Sequence, residues 1–115
     1  MKNEITIFLS GQVTGLKREE AVSEFRAGRK ATEKLLREST IPSLGEVSKE
    51  TNLRFINPMD IVPADATNAE AMGLLLPMLT RADLVSFLPN HRFSEGSRVE
   101  MNLALYLHKP VIFLK

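Results

Sequence analysis

Ser94-Glu-Gly-Ser-Arg-Val-Glu100 brings together two hydroxyls, a glycine and two carboxylates in seven residues. Ser94, Gly96 and Ser97 are the small residues found where a helix begins, and there unpaired backbone N–H groups and the positive end of the dipole favour an anion. Glu100 suits another task. At helical spacing it shares a face with Ala104 and Leu107 and borders Val99 and Leu103, which turns it toward apolar neighbours. Desolvation raises the pKa of such a carboxyl and the helix dipole lowers it. Ionised but poorly hydrated near neutral pH, it has the character of a nucleophile in glycosyl transfer. The same residues also spell Ser97-x-x-Glu100, a capping box in which both side chains serve only the backbone. Both readings stand at this level.

Ser10-Gly11-Gln12-Val13-Thr14-Gly15 is the second polar cluster, following the apolar run Ile5-Thr-Ile-Phe-Leu9. Its glycines can aim N–H groups at a phosphate, and they equally suit a plain strand-to-helix turn. It has neither the Gly-Lys-Ser/Thr ending of a P-loop nor the three-glycine spacing of a dinucleotide fingerprint. His91 reads as a loop residue and His108 as one placed at the negative end of a helix. With no carboxylate at ligand spacing, the two histidines make no metal site, and no metal is expected. Asp83 opens an apolar run, at the amino end of a strand, where local pairing is expected.

Loops do chemistry only where regular elements hold them, and the pattern supplies those elements. Apolar runs at 4–9, 54–57, 82–88 and 110–114 read as strands. Helices are expected over 17–38, with Ala21, Phe25, Ala31, Leu35 and Leu36 as the buried stripe, over 68–81, and over 97–108. Thr67 or Asn68 caps the second, and Pro77 predicts a kink or break near 73–76. Residues 39–53 and 59–68 read as surface connections. This β-α-β-α-β-α-β order predicts a parallel sheet covered by helices on both faces, with its ligand at the carboxyl edge of the strands.

The chain has 115 residues, enough for one domain, 1–115, that buries about two-thirds of the surface its unfolded chain exposes. It is 43% hydrophobic and 25% charged, the balance of a globular protein. A net charge of +1 gives no electrostatic case for a nucleic acid polymer or a membrane as partner. Cysteine is absent, which excludes disulfides and thiolate metal sites. No stretch reaches the roughly 18 apolar residues of a membrane span, so a cytoplasmic protein is expected.

Taken together, Ile5–Gly15, Phe55–Asp60 and Leu79–Leu114 resemble the nucleoside 2-deoxyribosyltransferase superfamily. The resemblance is to its small phage and bacterial members of unassigned function and to the deoxynucleoside 5'-monophosphate N-glycosidases. It runs over nearly the whole chain, and its most specific part is Ala82–Pro110, with Ser-x-Gly-x-x-x-Glu followed by a helix and Lys-Pro. The resemblance implies a flavodoxin-like three-layer α/β sandwich with a four- or five-stranded parallel sheet of order 2-1-3-4. It implies that Glu100 is the nucleophile at the anomeric carbon of a deoxyribosyl group. Ser94 and Gly96 would hold a 5'-phosphate, with Ser97 beside them as a further substrate-binding residue; Ser10, Gly11, Gln12 and Gly15 would line the base and sugar pocket, and Asn57, Pro58 and Asp60 would close it.

A nucleoside or nucleotide is thus the expected small-molecule partner, with no cofactor, in a homodimer or larger homo-oligomer. Met59, Met72, Met78 and Met101 offer adaptable apolar contacts for such an assembly and equally for a core. Two departures count against activity. Eight residues before Asp83 the family carries an Asp that helps protonate the leaving base, and here that residue is Leu75. The aromatic residue that orients the nucleophile from the first strand is matched only loosely, by Phe8. The alternative is therefore a catalytically impaired nucleotide-binding module, or an enzyme using another acid such as Asp60 or Glu70.

Overall fold

β1 (Glu4–Ser10), β2 (Asn52–Ile56), β3 (Leu84–Phe87) and β4 (Val111–Phe113) pair in parallel in the order β2-β1-β3-β4. The computed structural model describes residues 4–39, 41, 44–45 and 47–115. Met1–Asn3 of the expected domain, and residues 40, 42, 43 and 46 of the expected connection, lie outside the described residues. α1 (Arg18–Glu38) covers one face of the sheet; α3 (Asn68–Arg81) and α4 (Glu95–Tyr106) cover the other. This is the flavodoxin-like α/β architecture, with four strands among the described residues.

Strand periodicity sorts the core into two layers. Ile5, Ile7 and Leu9 of β1 pack toward α1 with Leu84 of β3, whereas Phe8 packs toward α3 and α4 with Val85 and Phe87. Ser10, two residues beyond Phe8, therefore projects to the α3/α4 face. The chain order reverses between β1 and β3, which are adjacent, so the switch point lies at their carboxyl ends.

The helices differ from expectation in instructive ways. The buried stripe of α1 is Ala21, Phe25, Gly28, Thr32 and Leu36, while Ala31 and Leu35 face solvent. Thr32 is admitted because its hydroxyl is satisfied by the Gly28 carbonyl and the Ser86 hydroxyl, both at 2.7 Å. Pro77 does not break α3, which runs unbroken; the proline ring removes one N–H, and Gly73, whose carbonyl that N–H would have met, is exposed. One helical turn, α2 (Pro58–Ile61), replaces the expected loop, because Asn57 accepts from the Met59 N–H and Pro58 sits at the first helical position.

His108 lies one residue past α4's C-cap, with φ of 56°. Its N–H reaches the Leu105 carbonyl while that of Lys109 reaches Ala104, the paired bonds of a Schellman motif. The Asp83 carboxylate accepts from the Thr6 N–H, 77 residues away in the chain, at 2.9 Å at the amino edge of the sheet.

Gly28 matters beyond α1. A methyl group there would lie 2.7 Å from Leu88 Cγ, and the Leu88 N–H donates to the Ser10 carbonyl at 2.8 Å. Gly28→Ala gains up to about 1 kcal/mol of helix propensity and suffers overpacking of about 1–3 kcal/mol. A net loss of stability is expected, read as a lower urea midpoint; an unchanged or higher midpoint would show that Leu88 can move aside.

Candidate functional site

The α4 helix begins three residues earlier than its Ser97-x-x-Glu100 pattern suggests. Ser94 is the N-cap, its hydroxyl accepting from the Ser97 N–H at 3.0 Å, and Glu95 opens the helix. Ser97 and Glu100 are thereby moved from the helix end into its first full turns, facing the sheet. The capping box in this chain belongs to α3, where Thr67 and Glu70 exchange hydrogen bonds of 3.1 and 3.0 Å. Those bonds hold the Glu70 carboxyl below its usual range, so Glu70 is ionised near neutral pH and has no proton to donate.

Glu100 has the opposite surroundings. Ser10, Ser97 and Glu100 are 0%, 1% and 3% exposed. The Ser10 hydroxyl lies 2.6 Å from Glu100 Oε1 and 2.8 Å from Ser97 Oγ, placed to donate to either. No cation pairs with Glu100 among the described residues. Burial pushes its carboxyl up to about 7, against the opposing pull of the Ser10 hydrogen bond. Glu100 Oε2 has no protein partner, yet no buried side-chain oxygen or nitrogen lacks one among the described residues, so Oε2 keeps contact with solvent. One carboxylate oxygen is tied and the other is open. Near pH 7 such a group can act as nucleophile or exchange a proton.

Beside it lies a cavity of about 550 Å³ lined by the β1 loop and the starts of α3 and α4. Ser94 and Gly96 line it; Glu100, one helical turn beyond Gly96, is not among its lining residues. The Glu95 and Gly96 N–H groups, in the first turn, have no acceptor within the helix. Glu95 is the one ionisable side chain among the lining residues.

The remaining expected residues divide. Ser10 and Ser97, joined to each other and through Ser10 to Glu100, do not line the cavity. Gly11 packs closely on Asn90 and Leu88, and the Gln12 N–H donates to Asn90 Oδ1 at 3.1 Å. Gly15, with φ of 90°, lines a smaller cavity of about 310 Å³ with Arg18 and Val62. Asn57, Pro58 and Asp60 line neither cavity. Leu75 and Phe8 are core residues. The sequence reading missed Asn90, which ties the β1 loop to the turn Pro89–Phe93, and also Asn68 and Phe93 as cavity walls; Thr14, within the expected β1 loop, does line the cavity. A polar Asn after Pro89 in a switch-point loop was the available signal.

A family model described as a domain of unknown function, DUF4406, matches residues 5–113. Neither a curated protein nor a solved structure matches the chain. No helix among the described residues is long and apolar enough to cross a membrane. Among them, no three His, Asp or Glu side chains are grouped as a metal ion would require.

The raised Glu100 carboxyl sets a pH test. Because the folded state holds this proton more tightly than the unfolded chain, the stability it contributes is full below the usual 4.5 and is lost as pH rises through about 7. That interval corresponds to about 3 kcal/mol. Glu100→Gln cannot ionise, so it is expected to be more stable than the parent at pH 8, by up to that amount, and similar to it at pH 5. Urea unfolding at the two pH values checks this; the same difference at both would place the titration elsewhere.

Proposed function

The chain belongs to the DUF4406 family, and we propose that this member cleaves or transfers the N-glycosidic bond of a deoxynucleoside or its 5'-monophosphate through Glu100. The observation that carries the reading is Glu100 itself, buried with one carboxylate oxygen bound by Ser10, one helical turn from Gly96, which lines the cavity at the carboxyl edge of a parallel sheet. The resemblance to the nucleoside 2-deoxyribosyltransferase superfamily supports the same assignment.

In this reading Oε2 attacks the anomeric carbon as the bond to the base nitrogen breaks, and the base leaves with the electron pair. Water or an incoming base then displaces Glu100, restoring the carboxylate. Neighbouring Ser94 and the free N–H groups of Glu95 and Gly96 offer hydrogen bonds to a 5'-phosphate, while the Glu95 carboxylate opposes its charge. Apolar side chains exposed on and beside α4, among them Val99, Leu105, Tyr106 and Phe113, support the homo-oligomer that the resemblance implies. Light scattering of the purified protein is expected to give a mass above that of one chain.

A second reading, nucleotide binding without catalysis, is favoured by Leu75. At the position of the expected acid stands a side chain packed in the core, and Glu70 is held ionised by its cap. Calorimetric binding with no base released would select this reading.

Chromatography of deoxynucleosides and their 5'-monophosphates incubated with the protein decides between them. Base release is expected to rise with pH through about 7, as Glu100 ionises, and then level off. Glu100→Gln is expected to lower it by on the order of 10²-fold or more. Turnover unchanged by that substitution would remove Glu100 from the chemistry.

A further inference from the structure

We propose that Ser10 and Ser97 form a two-position hydroxyl switch that holds Glu100 in place in both of its charge states, with Ser10 as the positioning residue. Ser10 Oγ lies between two acceptors, Glu100 Oε1 at 2.6 Å and Ser97 Oγ at 2.8 Å, and all three side chains are buried. A hydroxyl has one proton and can serve one acceptor at a time.

The charge on Glu100 decides which. When Glu100 is ionised, Ser10 donates to Oε1, because a hydrogen bond to a charged acceptor is the stronger. When Glu100 takes a proton from solvent, its new O–H donates to Ser10 Oγ, and Ser10 rotates its own proton to Ser97 Oγ. The added proton stays on Glu100, and no hydroxyl loses its own. Glu100 thus keeps its hydrogen bond to Ser10 and the same position in both states, leaving Oε2 as the open oxygen. Without Ser97, the protonated state would strand the Ser10 proton in a buried site.

Among the described residues, no other ionisable group bonds to Glu100 from the elements around it. Glu95 and Arg98 on α4 are exposed, as is Arg92 in the turn after β3, where His91 engages the Leu88 carbonyl. On α3, Glu70 is tied to Thr67 and Arg81 stands at the far end; on β1, Glu4 lies at the opposite end, near the Asp83 contact with Thr6.

The two serines therefore act on the same carboxyl in opposite directions. Ser10→Ala removes the donor that favours the ionised form and raises the Glu100 midpoint by about one pH unit. Ser97→Ala removes the acceptor that favours the protonated form and lowers it, by a smaller amount. The experiment is a ¹³C-carboxyl NMR titration of glutamate-labelled protein, the Glu100 resonance being identified by its loss in Glu100→Gln. Shifts of opposite sign support the switch. Shifts of the same sign, or no rise in Ser10→Ala, overturn it; if Ser10→Ala does not fold, a downward shift in Ser97→Ala supports the switch and an upward or absent one overturns it. The carboxyl itself is read, so the outcome is separate from whether any base is released.

Discussion

A carboxylate buried without a cation must find a hydrogen-bond donor, and at Glu100 the donor is one hydroxyl, Ser10. The arrangement of the fold around the site can be traced to that pairing. The alternation of β1 sends Ser10 to the face covered by α3 and α4. Bonding of the Leu88 N–H to the Ser10 carbonyl fixes how far β1 and β3 run side by side. Capping by Ser94 then sets the rotation of α4, so that Ser97 and Glu100 come down onto the end of β1. A shift of one residue in any of these would turn Ser10 or Glu100 away from the other.

The chain contains two Ser/Thr-x-x-Glu patterns at helix starts, and they end in opposite electrostatic states. At Thr67 and Glu70 the hydroxyl and carboxylate satisfy backbone N–H groups at an exposed helix end, and the carboxyl is pulled below its usual range. At Ser97 and Glu100 the cap has passed to Ser94, the carboxyl lies under the helix, and desolvation pushes it up to about 7. The pattern is the same in both places. Burial separates the two, since removing water penalises the charged form more than one hydroxyl can restore.

Much of the architecture was legible because it rests on local periodicity. Strands β1 and β3 are apolar runs between polar breaks, α3 has its capping box in the sequence, and the alternation of elements implies a parallel sheet. The errors fall where a distant residue changes the meaning of a local one. Gly28 and Thr32 replace Ala31 and Leu35 on the buried side of α1, because Leu88 presses on the helix backbone and Ser86 offers Thr32 a partner. The helical turn α2 is encoded locally, by Asn57 as its cap and Pro58 at its first position. The cavity walls Thr14, Asn68 and Phe93 come from three separate segments and share no sequence pattern.

By itself the sequence determined the order and type of the main elements and the presence of a carboxylate near the start of α4. These follow from side-chain periodicity and from the short-range preferences of Ser, Gly, Pro and Glu. Whether Glu100 capped a helix or was buried against the sheet was a different kind of question. That depended on where α4 begins relative to β1, which the tertiary packing alone decided, by bringing a hydroxyl 90 residues away to within 2.6 Å of its carboxylate. The desolvation that sets the charge of Glu100 is likewise a property of that packing, because it is the sum of everything that excludes water from one point.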